Sequence, residues 1–449
     1  MILDRRRLIA SGLAVPALAP ASALALGGPG TARDAFLFSF PLYEMYRTRQ
    51  SALHAQRPIP PNMFAHRRHL TDDRARDVTT PNNDTLYSSA WLDLRGTALL
   101  LSLPDTGDRY YSAALMDMYT NNFACLGRRT TGTAALQVVI AGPGWQGDAP
   151  AGLHVVRSPT PWAWLLCRFL VDGPADLPAV HALQDRCMLT PVARGGMAFA
   201  VPDDPPPPDR PANPAAYVPL VNRLLAENPP PARDHSVLAA FAEVGMRPDT
   251  SGAGLSLIDR GIWYAGLLSA RSAMQDAGAV AGRPVDGWSR PPPDIGNFGQ
   301  DYMLRAIIAL IGLGALEQAE AVYMSANVDA AGAALDGANR YRLRFGPDGL
   351  PPVDAFWSLS MYELTPEGRA FFTPNPIGRY AIGDRTAGLA RGADGSLEIA
   401  IQRDAPEGAL RANWLPTPPG PFRLTLRAYQ PGKALIDGTY RPPAVSRLA

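Results

Sequence analysis

Apolar and polar positions alternate with two different periods along this chain, and the period changes in blocks. Residues 32–49 bring Phe36, Phe40, Tyr43 and Met45 on or near one face at helical spacing, which predicts an amphipathic helix. From about residue 77 to 171 the period shortens to two. Residues 86–94 alternate and are rich in Tyr and Trp, residues 99–103 form an apolar run closed by Pro104-Asp105-Thr106-Gly107, and strands are expected again at 109–119, 137–141 and 154–156. Turn residues recur at Gly96, Gly107, Gly132, Pro143-Gly144 and Gly147-Asp148, the spacing of short strands in an antiparallel sandwich or barrel.

Helical periodicity takes over at 174–189, 213–228, 234–245, 255–277 and 302–319, the last being the most apolar. Asp203-Asp204-Pro205-Pro206-Pro207-Pro208 and the 289–299 stretch with Pro291-Pro292-Pro293 read as linkers or exposed loops, because consecutive prolines exclude helix and central strand. Beyond Glu320 the strand pattern returns at 321–328, 339–345, 356–363, 397–403 and 422–429, punctuated by Asp336-Gly337, Pro347-Asp348-Gly349, Asp394-Gly395 and Pro418-Pro419-Gly420-Pro421. The expected fold is mainly β with a helical insert (α+β): two antiparallel β-sandwich or barrel-like domains joined by a helical segment. The corresponding bounds are a signal segment at 1–25, a β domain at 32–200, Pro-rich linkers and helices at 201–300, and a helix plus β domain at 301–449. No tandem repeat is visible, although the two β parts are compatible with one general design.

Composition narrows the function classes. The 449 residues carry 42 basic and 41 acidic side chains, net +1, which argues against nucleic acid or a strongly charged membrane surface as partner. Lys433 is the only lysine and sits in a Pro-Gly turn, so a lysine Schiff base has a single poor candidate. The amino terminus, Asp4-Arg5-Arg6-Arg7-Leu8-Ile9, resembles a twin-arginine signal. The apolar run that follows, residues 8–26, is broken by Pro16 and Pro20 and offers Ala23-Leu24-Ala25 as a cleavage site. The expectation is export to the periplasm or beyond, with no membrane attachment after signal removal; an uncleaved anchor is the competing reading. Cys125, Cys167 and Cys187 are odd in number and far apart, which favours buried thiols and leaves room for one disulfide at most.

Several motifs in order resemble a known family. Pro81-Asn82-Asn83-Asp84-Thr85-Leu86-Tyr87, Gly107-Asp108-Arg109-Tyr110-Tyr111, Asp117-Met118-Tyr119-Thr120-Asn121 and Gly127-Arg128-Arg129-Thr130-Thr131-Gly132 are similar to the first half of the bacterial two-domain DUF1254/DUF1214 family. Leu335-Asp336-Gly337, Phe356-Trp357-Ser358-Leu359-Ser360-Met361-Tyr362, Asn375-Pro376 with Arg379-Tyr380, Asp394-Gly395-Ser396-Leu397 and Asn413-Trp414-Leu415-Pro416 are similar to the second half. The resemblance implies mostly β domains joined by helices and supplies no reaction.

The same motifs hold the candidate chemistry. Acids, amides and phenols in apolar surroundings need partners or a ligand. With residues 109–122 as a strand, Tyr111, Asp117, Tyr119 and Asn121 share one face whose far end turns polar. In the functional reading Asp84 and Asp117 converge as acid and base, assisted by Tyr87 and Tyr119. Asn83, Asn121, Tyr111, Arg109 and Arg129 then position a small polar or carbohydrate-like substrate, and Trp357 and Asn413 close the pocket. The reaction expected is hydrolytic or eliminative. In the structural reading the same Asx residues tie their own turns and the Trp residues are core; the protein is then a periplasmic ligand-binding or structural protein without turnover. Oxygen ligands for Ca²⁺ or Mg²⁺ are present in number, yet no EF-hand spacing occurs, and His66 and His69 lack a third ligand nearby, so no cofactor is expected. GxSxG, HExxH and P-loop motifs are absent. The apolar 302–319 helix and the chain length make a homo-oligomer an expectation.

Overall fold

The computed structural model describes residues 27–449 apart from 77–78, 193–200, 203, 205–206, 208–212, 249–253, 277–283 and 367. The expected signal segment and most of the four-proline stretch therefore lie outside the described residues.

Four sheets pair into two β units. In the first unit, sheet I runs Ala65–His66, Thr85–Asp93, Trp162–Leu170, Tyr111–Asp117, Asn122–Gly127, and sheet II runs His154–Arg157, Leu136–Ala141, Ala98–Leu103, Met188–Pro191. In the second unit, sheet III runs Trp288–Ser289, Ala321–Ala326, Phe422–Pro431, Val353–Leu364, with Ala370–Phe371 and Ala381–Gly383 both paired to the last. Sheet IV runs Trp414–Pro416, Leu397–Gln402, Tyr341–Phe345, Ser446–Arg447. Except for the Ala370–Phe371 strand, the two units repeat one strand order in the same chain sequence. Both four-stranded sheets carry a parallel outer strand, and every other pair is antiparallel.

Each unit is a sandwich with its own core. Leu86, Leu92, Ala113, Leu115, Leu165 and Phe169 of sheet I pack on Leu99, Leu101, Val138 and Ile140 of sheet II. Val322, Met324, Leu359, Leu424 and Leu426 of sheet III pack on Leu343, Phe345, Ile399 and Ile401 of sheet IV. Burying these side chains is the main stabilising term, about 1.5–3 kcal/mol for each large aliphatic residue.

The second face of sheet I is also covered. At one end Trp91, Met116 and Trp162 join a helical layer made by helices Pro29–Leu53, Pro214–Glu227, Leu257–Asp276 and Tyr302–Ile311. At the other end Tyr110 and Ala114 meet Phe356 and Tyr429 of sheet III. Helix Pro29–Leu53 is thus buried nearly all round, with Leu37, Phe38 and Leu42 enclosed beside Phe36 and Phe40, and not one-sided as its spacing suggested. The apolar 302–319 helix stops at Ile311, where Gly312 caps it, and Leu304 to Leu310 are buried inside the chain. The 174–189 helix is shorter than its pattern as well: Leu177–Asp185 is helical, and Met188–Pro191 pairs as a strand with Ala98–Leu103. Cys125, Cys167 and Cys187 are free thiols, and no described helix is long and apolar enough to cross a membrane.

Two glycines let an outer strand close on its neighbour. A Cβ on Gly127 would lie 2.4 Å from the Tyr111 carbonyl oxygen, and one on Gly383 would lie 2.2 Å from that of Trp357. Gly383→Ala is therefore expected to destabilise the protein by more than ~2 kcal/mol, while Gly346→Ala, where a Cβ meets nothing within 4 Å, stays near neutral. Urea denaturation of the two variants checks the contrast.

Candidate functional site

Sheets I and III face each other through their polar sides, because strand alternation sends the apolar side chains of each sheet into its own sandwich. Register places one row across each sheet. In sheet I Tyr87 is opposite Arg168, Arg168 opposite Ser112, and Ser112 opposite Gly127. In sheet III the row is Tyr323, Arg427, Ser358 and Gly383. The duplicated topology thus repeats a Tyr-Arg-Ser-Gly row on both sides of one seam.

Two ion pairs cross the seam in opposite directions. Arg385 Nη2 donates to Asp84 Oδ1 at 2.8 Å, and Arg129 Nε donates to Glu320 Oε2 at 2.6 Å. Each acid stands three residues before its row tyrosine, and each arginine two residues after its row glycine. Ser358 Oγ donates to Asp84 Oδ2 at 2.6 Å, and Tyr110 OH to Glu320 Oε1 at 2.9 Å. Both acids are buried while Arg129 and Arg385 keep 31% and 22% of their side chains exposed, so breaking either pair costs less than the ~3–5 kcal/mol of a fully buried one. The Asx loop is gripped from the second unit: Tyr362 OH donates to the Pro81 carbonyl, Arg427 Nη2 to the Thr80 carbonyl, and Asn82 Nδ2 to Tyr429 OH.

Among the residues expected to form the site, the structure places Asp84, Tyr87 and Arg129 at the seam, with Asn83 between the seam residues Asn82 and Asp84. Asn83 leaves its Oδ1 buried without a partner, and the half-buried Tyr87 ring lies 5.3 Å from the Arg168 guanidinium carbon. The others lie elsewhere. Asp117 is opposite Ala163 whereas Thr85, next to Asp84, is opposite Leu170. Eight strand positions, roughly 26 Å, separate the two acids, so they form no dyad. Asp117 Oδ1 instead accepts the backbone N–H groups of Tyr119 and Asn121, which is the Asx-turn alternative. Burial pushes its carboxyl up, against the pull of the Asn121 N–H. Tyr119 OH donates to the Asn228 carbonyl among the helices, and Asn121 Oδ1 accepts Phe298 N–H.

Tyr111 points into the first sandwich, stacked on Phe169. The alternation of residues 111–117 was sound, but the face carrying Tyr111 and Asp117 is the core face, and Tyr110, Ser112 and Ala114 face the seam and the second unit. Arg109 is held by Asp176 and the Leu170 carbonyl, and Arg129 by Glu320. Trp357 lies in the core of the second sandwich. Asn413 donates to the Ala390 and Glu398 carbonyls and accepts Ala390 N–H, bracing a turn beside Trp414, which begins a strand and not a loop.

The seam residues that sequence reading passed over are Arg168, Ser112, Tyr323, Arg427, Tyr429, Ser358, Asp384 and Arg385. One signal was available: Arg168 and Arg427 are single charges inside apolar strands, WAWLLCRFL and FRLTLRAYQP apart from Arg423. Burial pushes Tyr323 and Tyr429 up, so their phenols stay neutral. Asp384 accepts the Trp357 N–H at 3.2 Å, and burial raises its carboxyl to about 6, with the Asp84 charge adding to the rise.

Two family models match the chain: DUF1254, a protein of unknown function, over residues 61–191, and DUF1214, a protein of unknown function, over residues 320–433. No curated protein matches. Among solved structures, the VPA0106 protein from Vibrio parahaemolyticus is 24% identical, with 94% of this chain and 100% of that one covered and a TM-score of 0.74; this likeness shows the fold. An uncharacterized protein from Burkholderia cenocepacia is 13% identical over 92% of this chain and 88% of that one, with a TM-score of 0.46.

Two outcomes follow from the geometry. In double-mutant cycles by urea denaturation, Asp84→Asn couples to Arg385→Gln by ~1 kcal/mol or more, while Asp84→Asn and Asp117→Asn add within ~0.5 kcal/mol. The second concerns pH. The folded Asp384 carboxyl holds its proton to about 6, above its unfolded value, so its contribution is present below pH ~4 and is lost as pH rises through about 6. Melting curves should show Asp384→Asn gaining on the wild type between pH 4 and 7, by ~1 kcal/mol after discounting for partial exposure; parallel curves would contradict this.

Proposed function

This chain belongs to the two-domain DUF1254/DUF1214 family, and we propose that it binds a small polar compound in the seam between its two β units. One observation carries the reading. Where the polar sides of sheets I and III meet, Arg168 Nε and Nη1 are buried without a hydrogen-bond acceptor in the chain. Buried polar groups are nearly always satisfied, and unsatisfied ones facing a single layer are what a ligand site leaves when described alone. Half-buried Tyr87 and Tyr323 on the same two faces supply flat apolar surface beside them. The wide separation of Asp84 from Asp117 favours binding over the acid–base dyad.

A second reading keeps turnover. Asp384, with its carboxyl near 6, and Asp84 both attach to the Trp357-Ser358 segment, and a carboxyl poised there suits a general acid near neutral pH. On this reading Asp384→Asn abolishes turnover and leaves ligand affinity within about threefold. The twin-arginine-like segment at Arg5-Arg6-Arg7 supports an exported protein, so the compound is one met outside the cytoplasm.

A thermal-shift screen of sugars, polyols, amino acids and organic acids tests the binding reading. Compounds that raise the wild-type melting temperature should lose at least tenfold in affinity against Tyr87→Ala. Hits that bind this variant undiminished, or an empty screen, would remove the proposal.

A further inference from the structure

The repeated row supplies an internal control for each of its two arginines. Arg427 in sheet III is fully engaged: Nη1 donates to Ser360 Oγ at 2.7 Å, and Nη2 donates to the Thr80 carbonyl at 3.0 Å and the Pro81 carbonyl at 3.4 Å. Arg168 in sheet I occupies the same register position and donates to one carbonyl, that of Gly314, from Nη2 at 2.8 Å. The reason is readable from the pairing. Ser360 lies opposite Thr425, one row from Arg427; the corresponding residue in sheet I, opposite Leu166 and one row from Arg168, is Ala114. A methyl group stands where the other unit has a hydroxyl. Arg168 Nη1 and Nε are left without acceptors, although the residue is only 5% exposed.

The charge on this side of the seam is uncompensated as well. Among the described residues no carboxylate pairs with Arg168. The groups acting on it most strongly are the Tyr87, Tyr323 and Tyr429 phenols, Tyr87 also through a side-chain hydrogen bond, and Tyr323 and Tyr429 stay protonated. Asp84 and Glu320, the buried acids of the seam, are each already matched by an arginine. A buried guanidinium without a counter-charge is unfavourable by several kcal/mol, and its planar N–H array fits an oxyanion. Tyr87 lies over this guanidinium, and Tyr323 and Tyr429 stand opposite.

We infer that the seam takes a small organic oxyanion, a carboxylate or phosphate on a planar body, with the oxyanion on the open N–H groups of Arg168. The inference rests on the small-molecule reading above and names the ligand class. Residue 114 then sets the difference between the two rows: alanine leaves the arginine open to ligand, serine closes it.

Isothermal titration calorimetry of the full chain with benzoate, phenyl phosphate and neutral benzamide tests this. One of the two anions should bind at least tenfold more tightly than benzamide, and the tighter arm identifies carboxylate or phosphate. Ala114→Ser, which offers Nη1 an acceptor without removing the charge, should melt above the wild type and bind that anion at least tenfold more weakly; Arg168→Gln should weaken it at least as much. Benzamide binding should change less than threefold in both variants. Benzamide binding as tightly as the anions overturns the oxyanion while leaving a small-molecule site at the seam. Ala114→Ser melting below the wild type, or both variants binding the anions as the wild type does, overturns the role of Arg168. Absence of binding by all three probes overturns the inference, and the broader screen described above then decides the seam site separately.

Discussion

Two partly buried ion pairs that cross the same seam in opposite directions, Asp84 with Arg385 and Glu320 with Arg129, hold the arrangement on which the rest depends. Each unit already buries its apolar side chains in its own sandwich. What remains to face the other unit is polar, and polar faces associate in a protein interior only if their groups are bonded across the contact. The pairs, together with Ser358, Tyr110 and Tyr362, accomplish most of this. The Asx loop at residues 80–84 belongs to that bonding as much as to any site: its carbonyls accept from Arg427 and Tyr362, and its acid pairs with Arg385.

The seam is symmetric in plan and asymmetric in detail. Tyr-Arg-Ser-Gly rows, cross-seam acids at the same offset and close-approach glycines recur in both units. Yet Arg427 serves to grip the Thr80-Pro81 segment, and Arg168 has one carbonyl. A repeated scaffold of this kind lets one copy hold the units together while the other stays open. The helical layer completes the division by covering the Trp91, Met116 and Trp162 end of sheet I, so that the polar face is left for the second unit alone.

Much of the fold was legible in the chain. The strands expected at 86–94, 99–103, 339–345 and 422–429 correspond to Thr85–Asp93, Ala98–Leu103, Tyr341–Phe345 and Phe422–Pro431. The helix at 29–53 was visible, but not its burial on all sides, since the partners that enclose it come from residues 214–311. The strand Trp162–Leu170, WAWLLCRFL, is an apolar run with one charge and no polar alternation, and the Met188–Pro191 strand is too short to stand out from the helix before it. At the site, residues 82–87 were singled out for a sound reason, a dense polar run that needs partners. Their partner is not the Asp117 expected to converge from an adjacent strand but Arg385, 301 residues from Asp84.

Sequence alone determined the element types, the β-helix-β order and the polar runs that could not be left unbonded, because these depend on local periodicity and on the cost of burying a charge. It also carried the two charged residues inside apolar strands, though not their meaning. Only the tertiary structure decided that Asp84 and Asp117 sit at opposite ends of one sheet, that the two β units share a topology, and that Arg168 and Arg427 occupy matching positions with unequal partners. Those facts depend on strand order and register, which long-range pairing sets and no local pattern encodes.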